Sequence, residues 1–92
     1  MERKTKWGNG RAVIDPLQLS PTEAGYIGPG AEALARYEDV HQELLAQQTR
    51  LGAQLEQLRL DGKTKSARSR ELLGKKLTNS ALLSLLQAHG LE

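Results

Sequence analysis

The sequence predicts a mainly α, oligomeric protein. It has a long helix, C-terminal helices folding back on it as a helical hairpin, and a short N-terminal β-hairpin. Three observations predict this. From Ala31 to Leu60 apolar residues recur every three or four positions with no proline to interrupt them. Seven leucines fall between Leu72 and Leu86. Asn9-Gly10 stands between two short runs that carry apolar residues, and Asn-Gly suits a two-residue type I′ turn, which needs φ > 0 twice.

The 92 residues read as a single domain with a turn-rich segment over 1–30 and a helical hairpin over 31–92. In "TKWGNGRAVI", Trp7 before the turn and Val13 and Ile14 after it are expected to share one apolar face. In "LSPTEAGYIGPG", Ser20, Pro21 and Glu23 carry the capping-box signature of a helix of one or two turns. Pro29 then opens the long helix, with Gly28 at its N-cap and Glu32 favourably placed in its first turn.

The long helix is predicted over 31–60, roughly 45 Å at about 1.5 Å per residue. A compact globule of this size has a radius of gyration near ~12 Å, so the helix should overhang it. Its seam runs Leu34, Tyr37, His41, Leu44, Gln48, Leu51, Leu55, Leu58, a heptad spacing over more than three repeats. The stripe asks for a partner helix that the rest of the chain supplies only in part. A homo-oligomer with Leu34, Tyr37, His41, Leu44, Leu51, Leu55 and Leu58 at the interface follows as an expectation.

Asp61-Gly62 ends the helix, and Ser66 can cap the next one. C-terminal helices are predicted over 66–77 and 79–89, with a break at Thr78 or Asn79 and Gly90 as the closing glycine.

Composition excludes several function classes. There is no cysteine, so disulfides and thiolate chemistry are out. No stretch approaches the roughly 18–20 continuous apolar residues of a membrane span, and "MERKTKWGNG" lacks the apolar run of a signal peptide. A cytoplasmic protein with no membrane partner is the expectation. His41 and His89 are the only histidines, too few to build a metal site without distant carboxylates. No serine has a histidine at a telling spacing, and no carboxylate pair stands out. The chain therefore reads as a non-enzyme without cofactor or metal. Gly62-Lys63-Thr64 lacks the upstream glycine of a P-loop, having Gln57 in its place.

Charge is unevenly spread. From Arg59 to Lys76 seven basic residues face two acidic ones, whereas from Glu23 to Glu56 six acidic residues face two basic ones. Such a split marks an anion site or two elements that pair electrostatically. Lys63, Lys65, Arg68 and Arg70 are the candidate anion-binding residues, with forked donors from the arginines and Tyr37 as a stacking partner. The alternative is a solvated basic face. A helix-turn-helix reading of the C-terminal third ranks last, because Leu82, Leu83, Leu85 and Leu86 are poor base readers.

The segments "TKWGNGRAVI", "ALARYED" and "GKTKSARSRELLGKKLTNSALLSLLQAHGL" together resemble small uncharacterised proteins encoded by phages and prophages of gut Firmicutes. "ALARYED" is similar to their "LAAYED" segment, and "GKTK…KLTN…L…GL" to their C-terminal half. The resemblance covers most of the chain and implies a setting, an infected bacterial host, rather than an activity. In that setting two modes of counter-defence fit the physics. In the first, a homo-oligomer sequesters a nucleotide-type immune signal. In the second, the helical surface binds a host defence protein directly, as small anti-CRISPR proteins do.

Overall fold

The computed structural model describes residues 2–91. Its elements are β1 (Lys6–Gly8), β2 (Arg11–Val13), a 3-10 turn (Pro16–Gln18), β3 (Ser20–Thr22), β4 (Gly25–Ile27), α1 (Pro29–Leu60) and α2 (Ala67–Ala88). They form two compact units, Met1–Asp39 and Val40–Glu92.

In the N-terminal unit the predicted hairpin forms. Asn9 and Gly10 take φ of 53° and 76°, the left-handed pair that asparagine and glycine tolerate best. The register pairs Lys6 with Val13, Trp7 with Ala12 and Gly8 with Arg11. Facing residues share a side of the ribbon, so Trp7 lies with Ala12 and Val13 lies on the opposite side. The single face expected for Trp7, Val13 and Ile14 is corrected accordingly.

A second hairpin replaces the expected capped helical turn. Ser20–Thr22 pairs antiparallel with Gly25–Ile27, and the Thr22 hydroxyl donates to the Gly25 carbonyl at 2.6 Å. The capping box expected at Ser20, Pro21 and Glu23 is therefore overturned; the cap in this region is Asp15, whose Oδ1 accepts from the Leu17 N–H at 2.9 Å and starts the 3-10 turn. Gly25, at φ 130°, closes the hairpin, and Pro21 is tolerated because both strands of a two-stranded ribbon are edges.

Two glycines then let the chain lie close to the start of α1. A Cβ at Gly28 would fall on the Gln18 carbonyl oxygen, and one at Gly30 on the Ile14 side chain. Pro29 opens the helix as predicted, and the Glu32 N–H reaches the Gly28 carbonyl at 3.1 Å.

The C-terminal unit is an antiparallel helical hairpin. α1 stops where Gly62 turns left-handed at φ 72°. There the Lys63 N–H donates to the Leu58 carbonyl at 2.8 Å and the Gly62 N–H to the Arg59 carbonyl at 3.1 Å, a Schellman closure. Ser66 Oγ caps α2 by accepting from the Ser69 N–H at 3.1 Å. Gly90, at φ 82°, repeats the closure, with the Leu91 N–H on the Leu86 carbonyl at 2.9 Å.

No break occurs at Thr78 or Asn79, so 66–77 and 79–89 are corrected to one helix, Ala67–Ala88. The Thr78 hydroxyl bonds back to the Gly74 carbonyl at 3.1 Å. Asn79 is buried and donates to Gln47 Oε1 at 3.0 Å. That tertiary bond offsets a helix preference weaker than alanine's by a fraction of about 0.7 kcal/mol.

The two helices meet along matching heptad seams. On α1, His41, Leu44, Gln48, Leu55 and Leu58 are half-buried and Leu51 is buried. On α2, Ser69, Leu72, Lys76, Asn79, Leu83 and Leu86 are the covered positions, spaced three and four apart. Leu51 and Leu72 are the buried apolar residues among those described. Farther from the interhelix turn than these two leucines the seam is polar: Gln48 Nε2 donates to the Lys76 carbonyl at 3.1 Å and to Ser80 Oγ at 2.9 Å.

Candidate functional site

One chain of polar contacts runs from the seam of the C-terminal unit to its surface. Gln47 receives the Asn79 amide on Oε1 and donates through Nε2 to Glu43 at 3.2 Å. Glu43 also takes the Arg50 guanidinium at 3.1 Å. These bonds stabilise the charged carboxylate, so Glu43 titrates below its usual value, chiefly through Gln47 and then through Arg50. The chain ends in an open depression of about 370 Å³ lined by Gln47, Arg50, Leu51, Gln54 and Lys75. Leu51 supplies an apolar lining, and two amides and two cations stand around it. Each cation is already shared with a carboxylate, Arg50 with Glu43 and Lys75 with Glu71 at 3.4 Å.

The predicted anion residues are placed separately. Lys63 and Lys65 are exposed in the interhelix turn. Arg68 is neutralised by Glu71 at 3.5 Å, the same carboxylate that meets Lys75. Arg70 is exposed on α2. Tyr37 is half-buried and belongs to the N-terminal unit. Ser66 already occupies the Ser69 N–H at the start of α2, which leaves one donor fewer for an anion there.

For the interface residues, the structure supplies a cover within the chain. Around Gln48 and Leu51 the stripe lies against α2, through the Gln48 bonds to Lys76 and Ser80. The partner helix that the stripe demands is first of all α2. Leu34 differs: it is 58% exposed and lines, with Glu2, Arg3, Lys4, Thr5, Gly30 and Ala33, a depression of about 550 Å³ in the N-terminal unit.

Sequence reasoning missed the surface of that unit. Trp7 is 70% exposed, Leu17 93% and Tyr26 68%, with Ile27 also exposed. The register explains part of this, since each ribbon has only two strands and two faces to cover. Pro21 stands opposite Tyr26 and Ala12 opposite Trp7. Gln47, Gln54, Arg50 and Lys75 were missed too, because nothing in their spacing distinguishes them from a solvated helix flank.

Among the described residues no three His, Asp or Glu side chains gather as a metal-holding group, and no helix is long and apolar enough to cross a membrane. Comparison with family models, with curated proteins and with solved structures gives no match.

Proposed function

We propose that this protein is a non-enzymatic binding protein that acts by occupying the surface of a partner protein. The observation that carries this is the apolar surface of the N-terminal unit. Trp7, Leu17, Tyr26 and Ile27 are exposed on short turns and ribbons, and Leu34 opens into a depression lined by Glu2, Arg3 and Lys4. Tryptophan, tyrosine and arginine are the residue types that dominate binding energy at protein interfaces. Displaying them on hydrogen-bonded hairpins limits the ordering entropy lost on binding. The resemblance to phage-encoded proteins supplies the setting: a host defence protein as partner, in the cytoplasm of an infected bacterium.

The test is binding of the purified partner to the wild type and to a Trp7→Ala, Tyr26→Ala double variant. A loss of affinity of about 100-fold or more, with an unchanged melting temperature, supports the reading. Equal affinity of the two proteins removes it.

The cleft beside Arg50 and Lys75 favours a second reading, sequestration of an anionic nucleotide-type signal. Its size falls within the usual range of small-molecule sites, about 300–1,000 Å³, and its two cations can exchange a carboxylate for a phosphate. A ligand there uses Arg50 and Lys75, with Arg68 one turn beyond Glu71. Lys63, Lys65 and Arg70 then add long-range attraction rather than contact. Thermal stabilisation by a panel of cyclic and linear nucleotides, lost in Arg50→Ala, tests it. No shift across the panel removes the reading.

A further inference from the structure

We infer that the outer face of α2 is the seat of a second copy of this chain, packed antiparallel about a two-fold axis level with residue 79. The proposal is independent of the partner-binding reading. It starts from a single row of the helix surface. Leu73, Leu77, Ala81 and Leu85 follow one another at four-residue intervals on the side away from the seam, and all four are exposed, Leu77 to 61%. One neighbouring row runs Arg70, Gly74, Thr78, Leu82 and is low at Gly74 and Thr78, with Leu82 exposed on the flank; the other is low at Ser80, Ser84 and Ala88. Around Leu77 the raised row stands between two shallow stretches, the surface that ridges-into-grooves packing requires. When rows of this four-residue type interdigitate, the helices cross at about −50°.

The pattern of large and small residues along the row selects the occupant. A two-fold axis at residue 79 sets Leu73 against the partner's Leu85 and Leu77 against the partner's Ala81, large against small at the point of closest approach. An isologous contact needs such self-complementarity, and most soluble oligomers form one.

Charge selects the antiparallel arrangement. Arg70 is the charged residue on this face, and among the described residues it has no ion pair. A parallel pairing sets it against its own copy. The antiparallel pairing sets it against the partner's Ala88, at the carbonyl end of the opposing helix, where a cation is stabilising. The contact leaves the Arg50–Lys75 cleft free, because Lys75 lies on the flank of α2 with Arg68 and Glu71.

The test uses the full chain. Sedimentation at micromolar concentration should show a dimer, and Leu77→Arg should weaken it by about 100-fold or more while helical circular dichroism is kept. A stable monomer overturns the proposal, and so does a dimer indifferent to Leu77→Arg. If Leu77→Arg fails to fold, single cysteines decide, since the chain has none of its own. The rise of a helix puts two copies of residue 81 about 6 Å apart along the axis and two copies of residue 85 about 18 Å apart. A short bismaleimide should therefore couple Ala81→Cys and leave Leu85→Cys uncoupled. Efficient coupling through Leu85→Cys, or none through Ala81→Cys, overturns the arrangement.

Discussion

In Met1–Asp39 order is set by the backbone: a left-handed Asn9-Gly10 pair, a Thr22 hydroxyl closing the second turn, and two glycines that admit a carbonyl and an isoleucine where a Cβ would stand. In Val40–Glu92 it is set by side chains along a seam, with Leu51 and Leu72 buried and a glutamine–asparagine ladder farther from the interhelix turn. The first route leaves the large apolar residues Trp7, Leu17, Tyr26 and Ile27 outside. The second builds a rod whose inner face is closed and whose outer faces are available. The two units should therefore fail differently when a single atom group is added or removed.

The largest expected effect separates them directly. Leu72, 3% exposed, should follow the rule for truncating a well-packed leucine, so Leu72→Ala should remove about 2–5 kcal/mol from the hairpin in urea unfolding. Gly28→Ala adds a methyl where the Gln18 carbonyl stands, and backbone yields less readily than side chain. It should cost about 1–3 kcal/mol, seen as faster amide exchange in the ribbons. If Leu72→Ala proves as mild as a surface change, the contrast collapses. The same holds if Gly28→Ala leaves ribbon exchange untouched.

The polar ladder gives a smaller effect and a sharper one. Asn79→Ala should cost about 1–2 kcal/mol, because it leaves Gln47 half-buried without its donor. A double-mutant cycle with Gln47→Ala should return a coupling of about 0.5–1.5 kcal/mol. A coupling near zero would mean the ladder fixes register without adding stability, the role that polar seam residues have in coiled coils.

How much of this was legible follows from the kind of interaction involved. The Asn9-Gly10 turn, the Pro29 start, the Ser66 cap and both closing glycines, Gly62 and Gly90, are decided by neighbouring residues, and each is found where sequence rules put it. The seam from His41 to Leu58 was legible for the same reason, since periodicity is local. What covers it was not. Thr78-Asn79 reads as a break until Gln47 is in place, and that contact spans 32 positions. Ser20-Pro21-Thr22-Glu23 reads as a helix start until Tyr26 and Ile27 pair back across a two-residue turn. The candidate site was the least legible part, because Lys63, Lys65, Arg68 and Arg70 look alike in sequence. They part company only when Glu71 claims Arg68.

The smallest effect is in pH, and it falls on one side of the comparison. Glu43 is held below its usual value near 4.5 by Gln47 and then Arg50, and Glu56 by hydrogen bonds from Arg59 at 2.6 and 3.0 Å. Both lie in the C-terminal unit. A carboxylate whose pKa is lower in the folded chain adds stability that is complete above its unfolded value and is lost as pH falls through the folded one. The hairpin should therefore soften below about pH 4.5. Salt should mask part of this, because both pairs are exposed. Thermal melts of wild type and a Glu43→Gln, Glu56→Gln variant at pH 6 and pH 3 check it, with the variant's drop the smaller. Amide exchange in the ribbons, corrected for its intrinsic pH dependence, should show no such softening. Equal drops in the two proteins would mean that acid acts through other carboxylates, and that the Glu43 bonds to Gln47 and Arg50 orient the cleft without stabilising the rod.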